Sequence, residues 1–258
     1  WFDTLTYPHP KLPECIAIDE LRGNAGGEKF QCNIADPVKH QVIDILPSRN
    51  TENLCKHFLE YPYKERAAVK KIIMDLSTLF RSVAKSMFPE AKIVADKFHV
   101  IRVVINSLEN VRKRIQKEFH ATKRKWFKRS RYLLLKPEYK LTSEDKTELA
   151  RMLNSSYDLE KAYVLKERFY EVFRKQTRTE AKKELGKWLL LAADLSLPEF
   201  RHCITTFSNW KTEIANIIGE RVSNGFIEGS NNKIKVLKRI SYGVQNFDRF
   251  RNRILYLQ

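Results

Sequence analysis

No apolar run in this chain approaches the ~20 residues that a membrane span requires, and no secretory-leader pattern opens it. Cysteine is scarce: Cys15, Cys32, Cys55 and Cys203 form no C-x-x-C pair and no other zinc-ligand spacing. Two of them lie in strand-like runs, where a free thiol behaves as a small core residue. The expectation is reduced, structural cysteines in a cytosolic protein. Internal repeats and low-complexity tracts are absent. Acidic residues are in deficit, 31 Asp+Glu against 48 Lys+Arg, for a net charge of +17. That excess suits a polyanionic partner through phosphate contacts and counterion release, but alone it separates neither DNA from RNA nor either from an anionic membrane face. The first residue is Trp1 rather than Met, so the sequence reads as a piece of a longer protein.

What is present suffices for a large core. The 258 residues are 43% apolar, enough for one large domain or two small ones. From Cys15 to Pro47 the pattern is strand, turn, strand, turn, strand, with turn signals at Gly23-Asn24-Ala25-Gly26-Gly27 and Asp36-Pro37. A short helix is expected between Asn50 and Tyr61, with Leu54, Phe58 and Leu59 on one face. A strand ending in Asp75, a helix closed by Pro89, a strand ending in Asp96 and a long helix through Ile115 follow. This is an α/β layer plan. From about Arg112 to Thr206 the chain turns helical, highly charged and almost free of glycine, with helices expected near 144–154, 158–176 and 179–193. Trp210 to Leu257 reads as two or three helices.

Three short apolar runs end on an aspartate: Cys15-Ile16-Ala17-Ile18-Asp19, Ile72-Ile73-Met74-Asp75 and Lys92-Ile93-Val94-Ala95-Asp96. A carboxylate at the end of a buried strand is costly unless something pairs with it. Asp19 and Asp75 fall on what should be adjacent central strands, at the strand ends where ligands gather in open α/β sheets. Such carboxylates, joined by one from a helix, can hold a pair of hard divalent cations for phosphodiester chemistry.

Glu228 supplies the helical acid, in Asn224-Gly225-Phe226-Ile227-Glu228-Gly229-Ser230-Asn231-Asn232-Lys233. Asn224, Asn231, Asn232 and Lys235 share its helical face by spacing, while Ile227, Ile234 and Leu237 form an apolar stripe. Gly225 and Gly229 each cost a helix about 1 kcal/mol, and their missing side chains admit a backbone or a DNA strand. Lys233, Lys235, Lys238 and Arg239 continue the helix and can hold a DNA backbone against the acids. The basic stretch Arg112 to Arg131, interleaved with Phe119, Trp126, Phe127 and Tyr132, is either a solvated face or a nucleic-acid contact. Asp96-Lys97-Phe98-His99 is a D-x-x-H spacing across a strand-to-helix turn; His99 is a poor candidate ligand for Mg²⁺, which prefers oxygen.

Taken in order, several motifs resemble the bacterial insertion-sequence DDE transposases of the ISL-three family. They are Ile16-Ala17-Ile18-Asp19-Glu20, Gly23 to Lys29, Val42-Ile43-Asp44-Ile45-Leu46-Pro47, Ala95-Asp96-Lys97-Phe98-His99-Val100, Asn224 to Lys235, Tyr242 to Phe247, and Phe250 to Leu255. The similarity runs from about Leu12 to the end. It implies an RNase H-like core, a mixed sheet of three antiparallel strands followed by strand–helix–strand–helix, with a helical insertion before the last acidic helix. The implied boundaries are 1–111 and 207–258 for the core and 112–206 for the insertion.

The resemblance carries the DDE triad onto Asp19, Asp75 and Glu228 as catalytic and metal-holding residues, with two Mg²⁺ ions that Mn²⁺ can replace. Asp96 and His99 resemble a supporting C/D-x-x-H signature. Asn224, Asn231, Asn232, Lys235, Lys238 and Arg239 are the expected DNA contacts. Double-stranded DNA, as element ends and target, is the implied partner, with no membrane, a homo-oligomer assembling on the DNA, and a bacterial cytoplasmic, nucleoid-associated location. The zinc ribbon and helix-turn-helix with which the family usually begins are absent from this sequence. Rival readings are an RNase H-like nuclease or resolvase that cuts without joining, and a catalytically inactive nucleic-acid-binding module.

Overall fold

The computed structural model describes residues 7, 9–23, 28–222, 224–241 and 244–257; the turn expected at 24–27 and the Tyr242-Gly243 pair fall outside them. The chain divides into two compact units, residues 1–96 with 220–258, and residues 97–219.

The first unit is built on a sheet. Strands β1 (Cys15–Arg22), β2 (Phe30–Asp36) and β3 (Gln41–Leu46) form an antiparallel meander. Asp36 closes its second turn by accepting the backbone N–H groups of Val38 and Lys39 at 2.9 and 3.0 Å. Helix α1 (Thr51–Leu59), capped by the Asn50 side chain, and the short α2 (Tyr63–Ala68) lead to β4 (Lys71–Met74). Helix α3 (Thr78–Met87) then leads to β5 (Lys92–Ala95). The five described strands lie in the order β3-β2-β1-β4-β5, with β1, β4 and β5 mutually parallel. This is a mixed α/β sheet, compatible with an RNase H-like core. Cys15 to Ile18 are all buried, as a central strand covered on both faces demands. One expectation is corrected: Leu54 and Phe58 are buried on α1, but Leu59 is 60% exposed, because it is the helix's last residue and lies off the Leu54–Phe58 face.

The second unit is helical: α4 (Lys97–Ile115), α5 (Ala121–Arg129), α6 (Arg131–Leu135), α7 (Ser143–Leu153), α8 (Tyr157–Tyr170), α9 (Arg178–Asp194), α10 (Arg201–Asn209) and α11 (Lys211–Ala215). Reciprocal capping boxes, Thr142 with Asp145 and Thr177 with Glu180, start α7 and α9. Phe169 stacks on Phe207 at 5.1 Å in its core, and the Trp188 indole donates to the Leu165 carbonyl at 2.8 Å. The aromatics interleaved with the basic stretch also serve this unit. Phe127 is fully buried against Phe119, Trp126 donates to Glu148, and the Tyr132 hydroxyl donates to Asp145.

The chain returns to the first unit as α12 (Gly225–Ile240) and α13 (Phe247–Tyr256). Ile227 packs with Ala17 and Ala35, while Ile234 shares a core cluster with Leu21, Val42, Ile45, Phe250 and Ile254. Four helical residues rise about 6 Å and two strand residues about 6.6 Å. Ile227 and Asn231 therefore keep step with Ala17 and Asp19, Ile234 packs in the cluster with Leu21, and α12 runs along β1. Among the described residues no helix is long and apolar enough to cross a membrane.

Candidate active site

Strand register collects the aspartates. Ile18 pairs with Met74 and Met74 with Ala95, so Asp19, Asp75 and Asp96 are the next residues on three neighbouring parallel strands. Adjacent strands lie about 4.8 Å apart, and residues in register share a face. All three acids thus stand in a row at the C-terminal edge of the sheet. Asp19 and Asp75 are half-buried and Asp96 is 5% exposed. The Asp96 backbone N–H donates to the Met74 carbonyl at 2.7 Å, continuing the ladder. His99, in the first turn of α4, is half-buried.

Local bonds aim the first two carboxylates. Asp19 accepts the backbone N–H of Glu20 at Oδ1 (2.8 Å) and the Asn231 amide at Oδ2 (2.8 Å). Asp75 accepts the Ser77 N–H at 3.0 Å, while Ser77 itself caps α3 by accepting from Phe80. The N-cap of α3 is therefore Ser77 and not Asp75. Beneath them the Cys32 thiol is pushed well up, first by burial and then by the charges of Asp19 and Asp75. It stays protonated.

Asn231 is spent inside the protein. It is 4% exposed, donates to Asp19, and accepts from the Asn33 amide at 2.8 Å. Asn33 also reaches Ser230 Oγ at 3.4 Å. Helical spacing alone groups Asn231 with Glu228 and assigns it to DNA; the packing makes it the strut that fixes Asp19. Asn33 itself escaped the sequence reading. An amide set among Cys32, Ile34 and Ala35 in the middle of β2 was the only signal in the sequence.

Glu228 lies on the exposed surface of α12. Phe226 stacks on His40 at 5.3 Å and packs with the cluster holding Val42 and Ile45, on the β2–β3 side. Residues two apart on a helix differ by about 200°, so Glu228 projects from the opposite flank, the side on which β4 neighbours β1. Among the described residues, Asp19, Asp75 and Glu228 do not bring ligand atoms within 4.8 Å of one another; the group that does is elsewhere. The structure pairs the two aspartates in register and leaves the glutamate standing off on its flank.

The start of α12 is unusual. Asn224 is its N-cap residue, yet its side chain makes no capping bond, and both its polar atoms are buried without a hydrogen-bond partner among the described residues. Asn50, Ser77, Thr142, Thr177 and Asn246 all cap their helices. A β-carbon built on Gly229 would meet nothing within 4 Å, so protein packing does not require that glycine. Asn232, Lys235 and Arg239 are exposed and Lys238 is half-buried. In the second unit, Lys113, Lys117, Arg124 and Lys128 line a hollow of about 490 Å³ with Arg112 and Arg131, which both pair with Glu109.

The donor set of the acidic row suits a hard divalent cation, being carboxylate oxygens held by neutral amides and backbone N–H groups. With this geometry in place, similarity becomes decisive. The model of the ISL-three DDE transposase family, described as transposase, matches residues 16–254. The chain belongs to this family. It is 26% identical over 241 residues to the transposase for insertion sequence element IS1001 of Bordetella parapertussis, covering 92% of this chain and 59% of that protein. It is 27% identical over 254 residues to the transposase for insertion sequence element IS1557 of Mycobacterium tuberculosis, covering 90% and 57%. The chain thus spans somewhat over half the length of these curated relatives. A shorter likeness, 35% over 94 residues, is to a Lactococcus lactis protein named an ATP-dependent protease; it covers 36% of this chain and carries no argument about the acidic row. No solved structure matches.

Proposed function

We propose that this chain is the catalytic part of a DNA transposase, with Asp19, Asp75 and Glu228 as its metal-holding acids. The observation that carries the reading is the register of Asp19 and Asp75 on neighbouring parallel strands, with α12 bonded to Asp19 through Asn231, in a chain of the ISL-three family. Two divalent cations so held, Mg²⁺ or Mn²⁺, supply charge neutralisation at the phosphodiester and a lowered pKa for the attacking water.

The residues of the chain do the positioning. Asn231 fixes the Asp19 carboxylate in one orientation. Glu228, on the β4 flank of α12, closes the site over Asp75 and orients the attacking group. Asn224 offers an amide already buried and already without a partner to a strand oxygen. Lys235, Lys238 and Arg239 clamp phosphates, Asn232 lies beside them, and the open face at Gly229 lets a DNA strand approach. The helical unit is the insertion, and its Lys113–Lys128 hollow adds phosphate contacts. Asp96 supports the site from the third strand, and His99 completes the D-x-x-H spacing that begins with it.

In the reaction, water adds to phosphorus at an element end and the P–O3′ bond breaks. This leaves a 3′-hydroxyl and a 5′-phosphate. That 3′-hydroxyl then attacks phosphorus in the target and displaces a target 3′-oxygen. The deciding experiment titrates Mn²⁺ into the chain with a short DNA duplex present, in wild type, Asp19→Asn and Asp75→Asn. Binding in wild type that is lost in both variants is expected. Equal binding in all three, or none in wild type, overturns the acidic site in favour of a non-catalytic DNA-binding module. Labelled-duplex assays then separate joining from cutting, because only a transposase yields strand-transfer joints. Losing either aspartate should lower such activity about 10³-fold, equivalent to several kcal/mol of charge stabilisation.

A further inference from the structure

A second group of ligands lies in the sheet unit, away from the aspartate row. His9, His57 and Glu60 each offer a ligand atom, and these atoms lie within 4.8 Å of one another. His57 and Glu60 are three residues apart at the C-terminal end of α1, so they rise from one helical face. The helix dipole favours a cation at that end. His9 comes from the segment before β1 and contacts Glu60 Oε2 at 2.9 Å through Nε2.

A His9–Glu60 ion pair alone would account for two of the three groups, but not for His57. That ring is 6% exposed, and its Nε2 is buried with no hydrogen-bond partner among the described residues. Its other nitrogen, Nδ1, lies 3.8 Å from Oδ2 of Asp44. Asp44 is buried in β3, where it accepts from the Ile45 N–H and from Arg251. A carboxylate beside one nitrogen while the other is left bare is the arrangement that orients imidazoles on zinc. The Tyr61 ring packs against both imidazoles, with centroids at 5.6 and 5.7 Å, and limits their movement.

We propose that His9, His57 and Glu60 bind a borderline divalent cation of the zinc class, with His57 Nε2 and Glu60 from α1 and His9 closing from the preceding segment. Two nitrogens and one carboxylate suit Zn²⁺ rather than Mg²⁺, which separates this site chemically from the all-oxygen aspartate row. Zinc–ligand bonds of about 2.1 Å in tetrahedral array put ligand atoms about 3.4 Å apart, so the side chains close slightly on binding. Glu60 and Asp44 contribute two negative charges and Arg251 one positive, so a divalent ion meets a net attraction. Its effect is to clip the segment around His9 onto α1. The proposal is independent of the transposase reading.

The test is a competition titration of the full chain with Zn²⁺ against a chromophoric chelator, repeated with Co²⁺ to read the visible ligand-field bands of a nitrogen- and oxygen-ligated ion. His9→Ala and Glu60→Gln alter side chains 47% exposed, so neither should disturb folding. One ion per wild-type chain is expected, with affinity falling at least ~10-fold in each variant. Asp19→Asn should bind Zn²⁺ as wild type does. Unchanged affinity in His9→Ala and Glu60→Gln overturns the site, as does failure of the wild type to take up one ion.

Discussion

A buried cation of the helical unit and a buried amide of the sheet unit are bonded to opposite extents. In the helical unit the deepest cation is Lys166, 1% exposed, whose ammonium donates to the carbonyls of Leu134 and Lys136 at 2.9 and 2.8 Å and pairs with Glu167. Those carbonyls lie at the C-terminal end of α6, where a lysine satisfies orphan acceptors. All three donor positions of the ammonium are used, and nothing is left to offer a ligand. In the sheet unit Asp19, Asp75 and Asp96 stand along one strand edge, and a buried amide at the start of α12 is left unbonded. Among the described residues, neither polar atom of the Asn224 side chain is matched. Saturated burial indicates a group that holds the fold, and unsaturated burial at a strand edge indicates a group that works.

Swapping the roles breaks that comparison most directly. Lys166→Met should cost about 3 kcal/mol, since it leaves two buried carbonyls and a carboxylate unpaired. Activity per folded molecule should not change. Asp75→Asn should do the reverse, removing Mn²⁺ binding while leaving the denaturant midpoint close to wild type. Urea unfolding and metal titration on both variants decide it. A Lys166→Met protein that folds as stably as wild type would mean that saturation of its bonds counts for little.

Asn231 tests the boundary between the two classes, because it is saturated like Lys166 yet touches a working residue. Asn231→Leu leaves Asn33 with only its longer bond to Ser230 and Asp19 without its strut. We expect about 2 kcal/mol of lost stability, together with weaker Mn²⁺ binding. A stability loss with metal affinity intact would make Asn231 part of the core only. Asn231→Asp should keep an acceptor for Asn33 but set a second charge against Asp19, so it should bind metal differently from the leucine variant.

Asn231 also marks how far the sequence carried. The strands ending on Asp19, Asp75 and Asp96 were legible because each is an apolar run closed by an acid, and α7, α8 and α9 fell close to their expected spans from periodicity and capping residues. Spacing along α12 correctly separated Ile227 and Ile234 as an apolar stripe, but it could not say that the helix would also bury Asn231, whose partner Asn33 is 198 residues away. Phe127 misled in the same manner: among basic residues it resembles a base-stacking platform, and only the tertiary structure reveals its aromatic partners. His57 and Glu60 had a visible three-residue spacing, but His9 is brought to them by the fold alone.

The smallest expected effect lies at the other end of the same strands. Lys71 and Lys92 are neighbours in register at the start of β4 and β5, so their charges repel. Glu220, its side chain 4% exposed, sits against both, 2.7 Å from Lys71 and in contact with Lys92. Burial works to raise its pKa, but the two ammonium groups outweigh that and hold the carboxyl below its ordinary 4.5. A depressed folded-state pKa gives stability that is fully present above the unfolded value and lost as pH falls through the folded one. Glu220→Gln should therefore lower stability by about 1 kcal/mol near neutral pH. The gap from wild type should stay constant above about pH 5 and close as the solution is acidified below about pH 4. Thermal melts of both proteins across that range read it directly. A gap that stays constant to acid pH would mean that Glu220 acts by shape and hydrogen bonding rather than by charge. It would then belong with the saturated groups of the helical unit, although it sits on the sheet that carries the aspartate row.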